Sequence, residues 1–242
     1  MPFSLKLQRP PLPLFGGRVR YVGSFEELVT ESFGNGINAL CWERSLTGDF
    51  AGVIGQLDAG PGISPLEDGQ LRALTLGSSG QRAVEQMLED QQRLRNLGLA
   101  PELNCVNGCE RDESEGPVQT DVFSFHADSA TVEADTYLCT YHGPSSEGVA
   151  NEEAVRRVDI PETRAELLSR FGGCDDAAFG EYLSENCFDL HYAPLPGARI
   201  FSFGVGNFWR IAVDYPGSPV PPCIHRAPAP FPGDPARLLL IS

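Results

Sequence analysis

Glycine and proline fill 26 and 20 of the 242 positions, and they recur along most of the chain. Proline removes a backbone donor, and an interior glycine costs a helix about 1 kcal/mol relative to alanine. A bundle of long helices is therefore a poor solution for this chain. Frequent punctuation favours short strands joined by turns, as in a sandwich or barrel. All-β folds of this length are often one domain, so a single domain over 1–242 is expected, with no internal repeat. Apolar residues make up 41% of the chain and charged residues 21%, enough for a real core.

Charge narrows the partners. Asp and Glu outnumber Lys and Arg 33 to 18, giving a formal net charge of −15. Phosphate backbones require a basic surplus, and no basic run exists, so nucleic acid is disfavoured as a ligand. Anionic membrane surfaces are disfavoured for the same reason. No stretch of eighteen apolar residues suggests a membrane span. Met1–Gly17 reads as an extended arm. Pro10, Pro11 and Pro13 interrupt what would be the apolar core of a signal peptide. A cytoplasmic location follows as an expectation, and seven cysteines there do not suggest a disulfide framework.

The first hundred residues read as α-rich. A strand over 18–22 precedes a helix capped by Ser24, with Glu27 as its capping-box partner. A strand at 37–42 and a helix at 47–57 follow. The clearest helix spans 79–97, where Val84, Met87, Leu88, Leu94 and Leu97 form one stripe and Gly98 supplies the stop. Beyond Pro101 the pattern turns to strands, at 102–107, 121–127 and 134–142. They resume at 187–193, 198–204, 207–214, 221–226 and 236–241. Between the two groups, residues 144–186 read as a helical insert, with Pro161 opening one helix and Asp175 another. The acidic stretch Glu110–Glu115 reads as a solvated loop. The expected architecture is α+β: a jelly-roll core at 101–242 backed by an N-terminal helical layer.

Chemistry concentrates on few residues. His126 and Asp128 lie two apart in Phe125-His126-Ala127-Asp128, which places an imidazole and a carboxylate on one strand face. They offer two members of the facial 2-His-1-carboxylate set that leaves metal positions open. His225, 97 residues beyond Asp128, is the candidate third ligand, and Arg237 follows twelve residues later. Arg237 is the lone cation in Ala236-Arg237-Leu238-Leu239-Leu240-Ile241, and a buried guanidinium needs an anion. If the strands holding His225 and Arg237 pair across the proline-rich loop 227–235, both side chains face one interior. Arg226 should then face away.

The ordered set His126, Asp128, His225 and Arg237 resembles that of the Fe(II)/2-oxoglutarate-dependent dioxygenases over roughly residues 100–242. The resemblance implies a double-stranded β-helix and Fe(II) held by His126, Asp128 and His225. It also implies that Arg237 binds the distal carboxylate of 2-oxoglutarate, and that a small-molecule or peptide substrate is oxidised. The segments His225-Arg226-Ala227-Pro228, Arg237-Leu238-Leu239-Leu240 and Cys41-Trp42-Glu43-Arg44 also resemble a bacterial family with no assigned substrate. Residues 144–186 become a candidate lid over the barrel mouth.

Other readings stay open. His191 is a rival third ligand, and His142 suits a turn or the pocket. Asp214 is a rival partner for Arg237. Cys105, Cys109, Cys223 and His225 would suit a structural zinc. A non-catalytic metal-binding or cupin-like sensor would need the same metal residues with Arg237 merely structural. No Gly-x-Ser-x-Gly elbow is present, and Gly204-Val205-Gly206 reads as a turn. Substrate and oligomeric state are not legible.

Overall fold

A computed structural model describes residues 18–108 and 116–242. The expectations for the arm at 1–17, for Glu110–Glu115 and for Cys109 lie outside the described residues. The first part of the chain contains β1 (Val19–Val22), α1 (Phe25–Thr30), β2 (Ala39–Trp42), α2 (Phe50–Ile54), β3 (Gly62–Pro65), α3 (Asp68–Arg72), α4 (Ser78–Arg95) and β4 (Glu102–Asn107). Next come β5 (Phe125–His126), β6 (Asp135–His142), β7 (Glu147–Val149), β8 (Ala154–Arg156), α5 (Pro161–Phe171) and α6 (Ala177–Glu185). The final strands are β9 (His191–Pro194), β10 (Phe201–Ser202), β11 (Phe208–Ala212), β12 (Ile224–Arg226) and β13 (Arg237–Ile241).

The described residues thus form a mixed α/β structure with two sheets. One has seven strands in the order β1-β2-β11-β6-β13-β4-β3, and the other six in the order β10-β7-β12-β5-β9-β8. Only β1 and β2 pair in parallel; the other ladders are antiparallel. Period-two alternation assigns each face of the seven-stranded sheet. Leu40, Phe208, Tyr137, Cys139, Tyr141, Leu238, Leu240, Leu103 and Cys105 join the stripe of α4 in the largest core cluster. The intervening residues Ala39, Cys41, Trp209, Ile211 and Leu138 pack with Phe201, Phe203 and Cys223 of the other sheet's side. The result is three layers: helices, the long sheet and the short sheet.

Local signals act where the chemistry demands them. Ser24 Oγ accepts from Glu27 N at 3.1 Å, and Glu27 Oε2 accepts from Gly23 N at 2.7 Å. Pro161 opens α5 and Gly172 closes it in the left-handed region, at φ 73°. Arg44, at the end of β2, is tied to α4 through Asp90, with Nη1–Oδ1 at 2.8 Å and Nη2–Oδ2 at 2.5 Å. Tyr141 also donates to Asp90 at 2.8 Å, so this carboxylate joins the helical layer to two strands.

Several expectations need correction. The first hundred residues supply β1, β2 and the unexpected β3 to the long sheet as well as the helices behind it. The expected strand over 121–127 shortens to Phe125–His126, because Asp121 Oδ1 captures the amides of Phe123 and Ser124 at 3.0 Å each in a turn. The segment 144–186 contains α5 and α6, but also β7 and β8, which are members of the short sheet. The strands of His225 and Arg237 do not pair. β12 is flanked by β7 and β5, while β13 is flanked by β6 and β4, so the loop between them crosses from one sheet to the other.

Candidate metal centre

Strand register builds the site. His225 of β12 lies directly opposite His126 of β5, and His126 lies opposite His191 of β9. Cross-strand partners share a face, so three imidazoles stand in a row. The ring centroids of His126 and His225 are 4.6 Å apart; those of His126 and His191 are 5.8 Å apart. Asp128 lies just beyond β5, where the chain leaves the short sheet. Its carbonyl accepts from Asp214 N at 2.8 Å, and its carboxylate reaches Thr136 at the start of β6.

His126, Asp128 and His225 each offer a ligand atom within 4.8 Å of the others, the only such group of three or more among the described residues. The carboxylate oxygens lie 3.9 Å from His126 Nε2 and 3.8 Å from His225 Nε2. Metal bonds of ~2.1 Å at tetrahedral or octahedral angles require separations of ~3.0–3.4 Å, so the carboxylate would have to approach each imidazole by less than an ångström and the set as a whole would have to contract. Both histidines are already in the needed tautomer. His126 Nδ1 donates to Ser124 O at 2.8 Å and His225 Nδ1 to Cys223 O at 3.2 Å. A carbonyl only accepts, so each Nε2 presents its lone pair to the centre. Thr136 Oγ1 donates to Asp128 Oδ2 at 2.6 Å and orients the carboxylate.

The electrostatics favour a neutral His126 and an ionised Asp128. Burial, reinforced by His225, pushes His126 down to about 4. Burial pushes the Asp128 carboxyl up, but His225, the Thr136 hydroxyl and His126 outweigh it and hold the group below its ordinary range.

The site opens into a cavity of about 520 Å³ between the two sheets. His126, Asp128, His225 and Ser146 line it on one side, and Arg237, Asn104 and Leu239 on the other. Arg237 is buried and its Nη2 donates to Ser146 Oγ at 3.3 Å. It therefore shares the interior of the metal residues by facing them across the sandwich. Gly143 secures this approach: its φ is +81°, and a Cβ there would stand 2.8 Å from Ala236 O and 3.1 Å from Arg237 Cα. Asp214 does not line the cavity, and Arg226 points away from it to pair with Glu147 at 2.7 Å.

The remaining candidates separate. His191 is buried, donates through Nδ1 to Cys187 O at 2.7 Å, and stays outside the three-ligand group. His142 donates to Ala236 O at 3.1 Å beside Arg237. The zinc reading fails on topology: Cys105 packs towards the helices, whereas Cys223 packs between the sheets. No residue from 147 to 186 lines the cavity, so the expected lid is not formed by α5 or α6. The loop holding Pro228, Pro230 and Phe231 lines it instead. Sequence reasoning missed Thr136 and Ser146. Both are common residue types whose roles appear only when the two sheets meet.

No family model matches the chain, and neither a curated protein nor a solved structure matches it. Among the described residues, no helix is long and apolar enough to cross a membrane.

Proposed function

We propose that this chain is an Fe(II)- and 2-oxoglutarate-dependent oxygenase on a double-stranded β-helix, oxidising an organic substrate. One observation supports this reading above the others: two imidazoles with inward-facing Nε2 atoms and an oriented carboxylate share a cavity with a buried arginine. With Fe(II) and 2-oxoglutarate bound, the balanced reaction is R–H + O₂ + 2-oxoglutarate → R–OH + succinate + CO₂.

The protein's part is binding and orientation. His126, Asp128 and His225 would hold the metal, leaving the remaining positions to ligands from the cavity. The backbone carbonyls of Ser124 and Cys223 keep both imidazoles in the ligating tautomer. Arg237 offers a planar fork suited to the far carboxylate of the diacid, with the Ser146 hydroxyl beside it. A substrate seated against the apolar walls would exclude water and strengthen these charge contacts.

The test is oxygen-dependent conversion of 2-oxoglutarate to succinate by the Fe(II)-loaded chain. Asp128→Ala and Arg237→Ala should each abolish it. A folded, metal-loaded protein that neither binds 2-oxoglutarate nor forms succinate would instead be a metal-binding sensor.

A further inference from the structure

The inner face of the long sheet is covered unequally. On β2 and β11 it is sealed against the short sheet: Cys41, Trp209 and Ile211 are at most 1% exposed. On β4 and β13 the sheets part, and Val106, Leu239 and Ile241 line the cavity while only half-buried. The apolar lining reaches the surface, where Ile63 is 57% and Val122 46% exposed. Apolar side chains left open on a concave wall mark a ligand surface more often than an unfinished core.

From this wall we infer that the substrate is a neutral small molecule with a largely hydrocarbon body, aliphatic or aromatic. This rests on the oxygenase reading, under which Arg237 and the metal are engaged by the diacid. Among the described residues, the wall that then faces a substrate is made mainly of Val106, Val122, Phe123, Phe231, Leu239 and Ile241, with Asn104 and Asn107 as its few neutral polar members. A sugar, nucleotide or polar peptide would have to match its hydroxyls, amides or phosphates to donors and acceptors there. Burying them against hydrocarbon would cost more than their contacts return. A second anion would also meet Asp234 at the cavity and the acidic chain as a whole. Hydrocarbon gains from transfer into this space in proportion to the apolar area it buries.

The test uses N-phenyl-1-naphthylamine, a neutral apolar fluorophore, titrated into the full chain. One saturable site is expected, competed by naphthalene or 1-decanol and not by glucose, AMP or a Gly-Ser peptide. Leu239→Trp, which fills the wall, should weaken the fluorophore at least tenfold while metal stoichiometry stays at the wild-type value. Val106→Phe offers the same block from β4 if the first variant misfolds. Metal and 2-oxoglutarate binding are measured on the same samples. If both fail while the fluorophore still binds and responds to the wall variants, the oxygenase reading falls and the apolar site stands. If both succeed but the fluorophore does not saturate, ignores both wall variants, or yields to glucose or AMP, the hydrocarbon assignment is overturned.

Discussion

Asp128 has two oxygens and two histidine neighbours, and Thr136 decides how the carboxylate is turned. Removing the hydroxyl with Thr136→Val should weaken metal binding by about 10–100-fold, the usual effect of losing an outer partner of a ligand. His126→Ala and His225→Ala should remove most of the metal, and His191→Ala should not. Metal analysis of the four purified variants checks all of this; full occupancy in both ligand variants would dismiss the triad.

His126 also makes the metal-free protein sensitive to acid. Its folded value is near 4 against an ordinary 6.5, so between those values the unfolded chain binds more protons. Metal-free wild type should be most stable above about pH 6.5 and lose stability as pH falls towards 4. Denaturant midpoints at pH 7 and pH 5 should fall more for wild type than for His126→Gln. Equal falls would mean that the imidazole is solvated rather than buried. Arg237 is tested by its own conservative change. Arg237→Lys keeps the charge but loses the fork, so 2-oxoglutarate binding should weaken tenfold or more, with metal content and Tm nearly unchanged. A large fall in Tm without loss of binding would mark it as structural.

At the scale of elements, α4 is joined to the long sheet by more than its apolar stripe. Asp90 is fully buried, accepts both guanidinium arms of Arg44, and takes a third bond from Tyr141. Arg44 also stacks over Trp42 and Phe208, at 5.0 and 4.9 Å from the ring centroids. Removing one partner leaves a buried charge without its counterion, so Asp90→Ala should destabilise by about 3–5 kcal/mol. Chemical denaturation measures it; a change under 1 kcal/mol would show that solvent reaches Arg44.

The elements also show what the chain's pattern could reveal. Helices with stripes and caps, such as α4 and α5, are legible because their signals are local. So is the His126-x-Asp128 pair, since alternation needs only neighbours. The very short strands β7 and β8 are defined by their pairing with distant segments, which no local period encodes. The placement of Arg237 shows the same limit. Its burial was readable from five apolar companions, but its sheet was not, because a proline-rich connection can make a hairpin or cross a sandwich equally well.

For the molecule as a whole, α5 and α6 stand apart. They pack with Val118 and Val158 in a small cluster of their own, around Leu167, Phe179 and Leu183. Few shared apolar contacts imply a lower local unfolding free energy. Amide exchange should be faster over 161–185 than over β6 and β13. Adding Fe(II) with 2-oxoglutarate should slow exchange in the loop 227–236, which lines the cavity, and leave the two helices unchanged. Slowing confined to the helices would restore the lid role that the cavity lining denies them.

The central claim is that His126, Asp128 and His225 hold a metal in the same chamber where Arg237 holds a diacid. Anaerobic calorimetry of 2-oxoglutarate into the Fe(II)-loaded chain tests it most directly. About one equivalent should bind, tightly only when metal is present, with that binding lost in Asp128→Ala and weakened at least tenfold in Arg237→Lys. Binding that persists undiminished without metal, or no binding to a fully metal-loaded wild-type chain, would contradict it.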